Sequence, residues 1–291
     1  MQARSALFDL YGDYLRPRGG YSPVAALVRL LAPLEISAPA VRTAVSRMVR
    51  QGWLRPTRLR HGPGYALTPK AVRRVDDAAA RIYRINPPAW HGSFDLLIVE
   101  SPASRTARSR LAANLSYLGY GQLAGTAWIA PRHAADVEPL LAEAGVAAQR
   151  FSSEPVGGLE AATALVHRAW DLDELAAAYQ RFTDELRPVV AAVGPGDRDE
   201  TAFLARFRLV HAWRTFLFRD PQLPAALLPE KWPGSEAAEF FDHHARRLRP
   251  AADRHVDSCL AGVSPNAGVP RHAGISPHAG PAQNEKRRGA L

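Results

Sequence analysis

The sequence predicts an α+β protein of several domains, and the order of its elements predicts that fold class. Apolar spacing over the first 85 residues predicts three helices, a short hairpin and a fourth helix. Residues 90–155 follow with the order strand, helix, strand, strand, helix, strand, which is typical of a ferredoxin-like domain. Residues 160–257 have a helical pattern almost throughout. We therefore expect a winged helix-turn-helix, a central ferredoxin-like βαββαβ domain and a C-terminal helical domain, in that order.

Capping residues and helix breakers set the expected boundaries in the N-terminal domain, residues 1–85. A run of arginine, proline and glycine ends the first helix, and a glycine follows the third. We expect a first helix over 3–15, a second helix capped by Ser22 with Pro23 at its first position, and a third helix from Ser37 to about Gln51. Strands over 53–59 and 65–68 should then form a hairpin around a tip at 61–64. A fourth helix, capped by Thr68, should end near Tyr83.

The same signals place the elements of the rest of the chain. In the middle domain, residues 90–155, we expect a strand over 94–100, a helix over 105–118, two strands between 119 and 130 that divide near Gly125, a helix over 133–144 and a strand over 146–152. In the helical domain, residues 160–257, we expect segments near 171–191, 197–218 and 236–257. Residues 258–291 form the predicted tail. From about residue 261 the chain repeats Ala, Gly and Pro, a composition that cannot bury a core, so this tail is predicted to be disordered.

Positive charge is concentrated in the N-terminal domain. The chain has a formal net charge of +9, yet residues 1–90 contain 15 Lys and Arg against 5 Asp and Glu, and the other residues contain 22 against 23. A GC-rich coding bias explains the preference for Arg over Lys, but it does not confine the excess to one domain. A basic domain joined to a nearly neutral body indicates a polyanionic partner for that domain.

The third predicted helix has two faces, and its polar face is expected to enter the major groove of double-stranded DNA. The apolar face, which should pack on the second helix and Trp53, comprises Val41, Ala44, Val45 and Met48. The polar face comprises Arg42, Thr43, Ser46, Arg47 and Arg50. Arginine suits bidentate contacts with guanine, and Ser and Thr hydroxyl groups bond to bases or phosphates. A charged helix face alone is ordinarily a solvated surface, so the prediction depends on its combination with a basic hairpin.

Further cationic side chains lie where a hairpin wing would meet the DNA backbone or the minor groove. The hairpin residues expected to do so are Arg55, Arg58, Arg60 and His61. Arg16 and Arg18, which follow the first helix, are expected to add phosphate contacts. Each phosphate that is neutralised adds about one unit to the salt dependence of binding.

Six stretches of the chain match the pattern of one protein family in order. They are residues 7–20 (LFDLYGDYLRPRGG), 30–34 (LLAPL), 40–50 (AVRTAVSRMVR), 65–70 (YALTPK), 216–224 (FLFRDPQLP) and 227–234 (LLPEKWPG). With these stretches the chain resembles the PaaX family of transcriptional repressors from residue 4 to about residue 257, and the tail lies outside the resemblance.

The resemblance implies both a domain plan and a function. It implies a GntR-like winged-helix head, a middle domain similar to the small ferredoxin-like nuclease of CRISPR adaptation, and a helical C-terminal domain. It further implies a homodimeric repressor of a catabolic operon, that of phenylacetate degradation, which occupies a palindromic operator and is released by phenylacetyl-coenzyme A. No motif fixes the pocket residues, so a repressor of another catabolic pathway with a different inducer is an alternative. No resident cofactor is expected.

One predicted helix carries side chains that suit a coenzyme A thioester. Arg208, His211, Trp213 and Arg214 lie within residues 197–218. Arginine offers charge to phosphates, and tryptophan offers a surface on which adenine can stack. The alternative is that these residues are packing and ion-pair residues of a helical bundle.

Two rival functions follow from other features. Asp95 and Glu100, at the first strand of the middle domain, are the carboxylates available to a metal-dependent nuclease, but such cleavage needs carboxylates that converge on a cation. The structural alternative is a dimer-interface or packing role for this domain. The second rival is a nucleoid-type DNA-binding protein without inducer or sequence preference. No enzyme signature is found in the sequence.

The sequence gives no indication of a metal site or a membrane segment. His243, His244 and His255 are the candidate ligands, but His243 and His255 lie about three helical turns apart, too far to bind one ion from a single helix. The single cysteine, Cys259, excludes a cysteine-based zinc site. No apolar run approaches the roughly 18–20 residues that a membrane span needs, and the first residues lack a secretory pattern. A cytoplasmic protein is therefore expected.

Overall fold

Two units with dense internal contacts make up the protein. The structure, a computed structural model, describes residues 1–59, 62–83 and 89–261. Within these ranges, the first unit contains the residues up to 83 together with 253–261, and the second contains 89–252. The first unit therefore combines the N-terminal region with the end of the last helix. Most of the predicted tail lies outside the described residues.

Helices around a small antiparallel sheet form the described part of the first unit. The helices are α1 (Ala3–Leu10), α2 (Val24–Leu31), α3 (Ala38–Arg50) and α4 (Pro69–Ile82). The strands are β1 (Tyr21–Ser22), β2 (Leu54–Leu59) and β3 (Gly62–Leu67), in the spatial order β1-β3-β2. Apolar side chains from α1, α2 and α3 form the core, among them Leu7, Leu10, Leu27, Leu30, Val41 and Met48. The predicted helices and hairpin are present, and β1 is an additional strand.

The first two helices differ from the prediction at their boundaries. Regular α-helix ends at Leu10, and the chain continues as a π-helical turn over Tyr11–Leu15. The predicted cap by Ser22 is wrong, because Ser22 is fully buried in strand β1, where it pairs with Tyr65. Its hydroxyl group donates to the carbonyl oxygen of Pro23 at 3.2 Å, and Pro23 takes the N-cap position of α2.

The second hairpin strand extends further toward the tip than predicted. Strand β3 begins at Gly62, whereas the sequence predicts a start at Tyr65, so the Gly-Pro-Gly segment is strand. Pairing places Leu59 opposite Gly62 and Thr57 opposite Gly64. Residues 60 and 61 are therefore all that separates the two strands, and both lie outside the described residues.

Gly64 occupies the most crowded position of this sheet and gives a stability prediction. A Cβ atom on Gly64 would lie 2.3 Å from Cδ1 of Leu59 and 3.0 Å from the carbonyl oxygen of Ser22. We expect Gly64→Ala to lower the free energy of unfolding of the first unit by about 1–3 kcal/mol, because a side chain and a strand must shift. Urea unfolding measures the loss, with Pro63→Ala at an exposed neighbour as the control. Equal losses in the two variants would contradict the crowding argument.

An antiparallel sheet with two helices occupies the first part of the second unit. Its strands are β4 (Phe94–Val99), β5 (Gly121–Ala124), β6 (Ala127–Ala130) and β7 (Ala148–Ser153), in the spatial order β5-β6-β4-β7. Helices α5 (Arg105–Tyr117) and α6 (Val137–Ala144) connect them, which confirms the predicted order β-α-β-β-α-β. Helix α6 begins four residues later than predicted, so His133 precedes it.

Helices dominate the rest of the second unit. They are α7 (Gly158–Ala169), α8 (Leu172–Ala191), α9 (Asp199–Trp213) and α10 (Pro233–Leu260), with a 3-10 turn over Arg214–Phe218. The sequence does not separate α7 as a segment of its own. Helix α10 continues to Leu260, so residues 258–260 are helical and their assignment to the tail is wrong.

Apolar clusters lie on both faces of the four-stranded sheet. Helices α5 and α6 cover one face, where Leu97, Leu115 and Trp128 are buried. Helix α7 packs on the other face, where Phe94 and Ile129 are buried. Among the described residues, no helix has the length and apolar character that a membrane crossing requires.

Candidate nucleic-acid interface

Helix α3 follows α2 after a short turn with a defined backbone. The hydroxyl oxygen of Ser37 accepts a hydrogen bond from the amide of Ala40 at 3.4 Å, which confirms the predicted cap. Before it, Glu35 adopts a left-handed conformation with φ of 61°, and its amide donates to the carbonyl oxygen of Ala32 at 2.9 Å. Gly52, with φ of 71°, follows the helix. Two consecutive helices joined by a tight turn are what a helix-turn-helix requires.

The buried face of α3 is the predicted one. Its members, none more than 6% exposed, are Val41, Ala44, Val45 and Met48. Beyond the helix, the amide of Trp53 donates to the carbonyl oxygen of Met48 at 2.9 Å. The Trp53 ring meets the Phe8 ring of α1 edge to face, with centroids 5.3 Å apart. These contacts fix the rotation of α3, so the direction of its opposite face is fixed as well.

The opposite face of α3 is cationic and exposed. All five residues predicted to read DNA are exposed: Arg42, Thr43, Ser46, Arg47 and Arg50. Helix α3 contains no acidic residue, so its three arginines give the face three positive charges. Within the described ranges, none of these arginines has an ion-pair partner in the protein. Free guanidinium groups on a fixed helix are available to bases or phosphates, but their contact with DNA stays a prediction.

The hairpin adds cationic side chains next to α3. Arg55 and Arg58 of strand β2 are exposed, and Arg58 lies opposite Pro63. Thr68 holds the hairpin base, because its hydroxyl group donates to the carbonyl oxygen of Gly52 at 2.7 Å and accepts from the amide of Ala71 at 3.2 Å. The second bond confirms the predicted Thr68 cap. The predicted wing-tip residues Arg60 and His61 lie outside the described residues.

Arg16 and Arg18 have carboxylate partners within the first unit. Nε and Nη2 of Arg16 each lie 2.9 Å from a carboxylate oxygen of Asp76. Nε of Arg18 lies 2.6 Å from Oδ1 of Asp257, and its Nη2 lies 3.1 Å from Oδ1 of Asp253, both on α10. These ion pairs weigh against the predicted phosphate contacts, because both charges are already neutralised. Their partners are 60 and 235 or more residues away in sequence, so no local signal could have shown this.

The four residues predicted to bind an inducer differ in their exposure. Arg208 is exposed, and His211 and Arg214 are half-buried. Trp213 is 6% exposed, and its ring stacks on Phe241 with centroids 4.8 Å apart and an interplanar angle of 12°. This packing weighs against the prediction that Trp213 stacks on a ligand, because its ring already faces Phe241.

A buried arginine of α9 is a residue that the sequence reasoning missed. Arg206 is fully buried, and its Nε donates to the carbonyl oxygen of Ala245 in α10 at 3.0 Å. A charged side chain is fully buried only when it is well paired, so Arg206 joins α9 and α10. In sequence it resembles its exposed neighbour Arg208, two residues away.

Asp95 is fully engaged and does not resemble a nuclease carboxylate. It is 7% exposed, its Oδ1 accepts from Nε of Arg150 at 2.7 Å, and its Oδ2 accepts from the hydroxyl group of Tyr120. Burial, followed by the bond to Asp95, raises the pKa of Tyr120. Nη1 of Arg150 also lies 3.1 Å from Oε1 of Glu138. The guanidinium group of Arg150 thus occupies the place beside Asp95 that a metal cation would need. In the described residues, no cluster of three or more His, Cys, Asp or Glu is arranged to hold a metal ion.

A cleft of about 660 Å³ lies between α8 and α10 in the second unit. Its aromatic wall includes Tyr179 and Phe240, and its charged lining includes Arg187 and three carboxylates, those of Asp184, Glu236 and Glu239. His244 also lines it; burial, then the nearby charges of Arg247, His243 and Arg187, lower the pKa of His244 to about 4. This histidine is therefore neutral at pH 7, and the excess of carboxylates opposes binding of a polyphosphate.

Comparison with protein families places this geometry in a known context. Three family models match this chain. The model described as "PaaX-like protein" matches residues 2–71, and the model described as "PaaX protein central Cas2-like domain" matches residues 87–165. The model described as "PaaX-like protein C-terminal domain" matches residues 170–258. The protein is thus a mixed α+β chain with a Cas2-like central domain and a helical C-terminal region.

Two individual proteins are similar over most of the chain. The transcriptional repressor PaaX of Escherichia coli (strain K12) is 34% identical over 256 residues, which cover 85% of this chain and 81% of the relative. The solved structure of the uncharacterized protein Rv0674 from Mycobacterium tuberculosis is 23% identical, covers 87% of this chain and 98% of its own, and superposes with a TM-score of 0.53. The second likeness concerns the fold alone.

Proposed function

This chain belongs to the PaaX family, and from that premise we propose that it is a transcriptional repressor whose first unit is a winged helix-turn-helix. Its similarity to a repressor over most of its length supports a repressor role rather than an enzymatic one. In the proposal, α3 is the recognition helix and the β2–β3 hairpin is the wing.

The single observation that carries the DNA-binding part is the free cationic face of α3. Three exposed arginines, Arg42, Arg47 and Arg50, lie on a helix whose other face is locked into the core. An α-helix fits the major groove, and arginine forms two parallel hydrogen bonds with guanine there. Arg58 on the neighbouring strand would then contact the DNA backbone, which adds affinity without sequence preference.

The proposed operator is palindromic and is bound by a homodimer. Two copies related by a two-fold axis would place their α3 helices in successive major grooves, about 34 Å apart along the DNA. This part of the proposal comes from the family resemblance and from the usual match between protein and operator symmetry.

The proposed inducer is an acyl-coenzyme A, with phenylacetyl-coenzyme A as the first candidate. Support comes from the family resemblance and from the exposed Arg208 and the half-buried Arg214, which offer charge to phosphates. The cleft between α8 and α10 has the wrong charge for the nucleotide part of such a ligand. Release from DNA requires that the inducer bind more tightly to a form of the protein that cannot span both half-sites.

A gel-shift titration tests the function and the inducer together. The DNA is the region upstream of the protein's own gene, with excess random duplex as competitor. We expect a specific shift that phenylacetyl-coenzyme A abolishes and free phenylacetate does not. A thousandfold loss of affinity would correspond to about 4 kcal/mol of coupling between the two ligands.

The other outcomes of the titration separate the alternatives. A specific shift that ignores the thioester keeps the repressor but discards this inducer, and other acyl-coenzyme A compounds are then tested. Equal affinity for operator and random duplex would favour the nucleoid-type alternative and contradict sequence-specific repression.

A further inference from the structure

The last two turns of helix α10 belong to the first unit. Residues 253–260, which we call the C-terminal segment, group with the N-terminal residues, whereas the preceding residues of α10 group with the second unit. Val256 in this segment is fully buried. Helical residues with a buried apolar side chain are part of a folded core rather than of a loose tail. The unit that carries the exposed arginines of α3 therefore includes residues from the opposite end of the described chain.

Arg18 joins the C-terminal segment to the turn that follows α1. Its Nε lies 2.6 Å from Oδ1 of Asp257, its Nη2 lies 3.1 Å from Oδ1 of Asp253, and its Nη1 donates to the carbonyl oxygen of Tyr14 at 2.9 Å. Asp253 and Asp257 are one helical turn apart, so one guanidinium group can contact both. The side chains of Arg18 and Asp253 are 22% and 28% exposed, so water and salt screen this pair less than a pair on the open surface.

The same turn also supports the β2–β3 hairpin. The amide of Gly20 donates to the carbonyl oxygen of Leu15 at 2.7 Å, and the carbonyl oxygen of Gly20 accepts from the amide of Leu67, the last residue of β3, at 2.9 Å. Gly20 has φ of 71°, a conformation that favours glycine. Arg18, two residues before Gly20, therefore connects the C-terminal segment to a turn that is bonded to the hairpin.

A second contact connects the C-terminal segment to α2. Nη2 of Arg29 donates to the carbonyl oxygen of Cys259 at 2.5 Å. The last four carbonyl groups of an α-helix have no amide partner within the helix, and a positive charge is favourable at this end. Arg29 thus caps α10 from α2. Because α2 directly precedes α3 and shares its core, this contact reaches the support of the recognition helix.

We propose that the C-terminal segment holds α2 and the turn after α1, and through them α3, in the arrangement that binds DNA, with Arg18 and Arg29 as positioning residues. The inference rests on the proposed DNA-binding function and deepens it. It assigns Asp253 and Asp257 a role that strengthens operator binding, although carboxylates ordinarily repel DNA. Apparent affinity falls with the fraction of the protein in the competent arrangement, so loss of these contacts should weaken the complex.

Fluorescence anisotropy with the upstream DNA tests the inference in the full chain. Asp253→Asn combined with Asp257→Asn removes both ion pairs and nearly preserves side-chain size. We expect the dissociation constant for the operator to rise about fivefold. Glu143→Gln combined with Glu185→Gln is the control, because both positions are exposed in the second unit and the change in net charge is the same. The control should not weaken operator binding.

Hydrogen exchange of the DNA-free protein measures the positioning without the operator. In the double Asp→Asn variant, the amides of α2 and of residues 253–260 should exchange about fivefold faster, and those of α9 in the second unit should not change. Arg29→Ala is a second variant in case the first unfolds, because Arg29 is exposed and its removal should be tolerated by the fold. It should show the same two effects.

The possible results separate this inference from its alternatives. Tighter operator binding with a steeper salt dependence would show that the two carboxylates mask Arg18 from phosphate, and would overturn the inference. Unchanged exchange, or faster exchange with unchanged operator affinity, would overturn it as well. A wild-type chain that binds no operator, while exchange in the variants changes as expected, overturns only the proposed DNA function.

Discussion

Arg42→Ala is expected to weaken binding to the operator by about 1–3 kcal/mol, roughly a 5- to 150-fold loss, and to weaken binding to random duplex much less. The reason is that Arg42 is exposed on the first turns of α3, where a side chain of a recognition helix reaches base edges. Fluorescence anisotropy with operator and random duplex at one salt concentration measures both dissociation constants.

Two matched variants make this expectation specific. Arg58→Ala removes a proposed backbone contact, so it should weaken both complexes alike and lower the slope of log affinity against log salt by about one unit. Arg105→Ala, at an exposed position in the second unit, makes the same change in net charge and should leave both affinities within about twofold. If Arg42→Ala and Arg58→Ala both act equally on the two DNAs, α3 is not the reader.

Arg206→Ala is expected to lower the free energy of unfolding of the second unit by about 2–5 kcal/mol. The change leaves a cavity in place of a fully buried side chain and removes the side-chain hydrogen bond to the carbonyl oxygen of Ala245. Because the lost bond joins α9 to α10, the urea concentration at the midpoint of unfolding should be lower for these two helices. Urea unfolding followed by circular dichroism measures it.

Arg208→Ala is the matched control for that experiment. Arg208 is exposed on the same helix two residues away, so its replacement should change stability by no more than about 0.5 kcal/mol. Similar effects of the two variants, or an Arg206→Ala protein as stable as the wild type, would show that the buried guanidinium does not join the two helices.

Local pattern was sufficient for α3 but not for α9. In α3 the apolar residues Val41, Ala44 and Met48 recur at helical spacing with arginine between them, so the buried face could be predicted. In α9 the buried residues cover most of the circumference, so spacing reveals no polar face. The pattern therefore could not show that Trp213 packs in the core and that Arg206 is buried while Arg208 is exposed.

The sequence by itself determined the order of elements, the caps at Ser37 and Thr68, the faces of α3 and the concentration of basic charge in the first unit. Each depends on residues a few positions apart or on composition, which folding does not change. Only the tertiary structure decided that Arg16 and Arg18 are paired with acids, that Asp95 is held by Arg150, and that the end of α10 belongs to the first unit. These features join residues far apart in the chain, and their energies depend on distance and burial, which arise only when the elements pack.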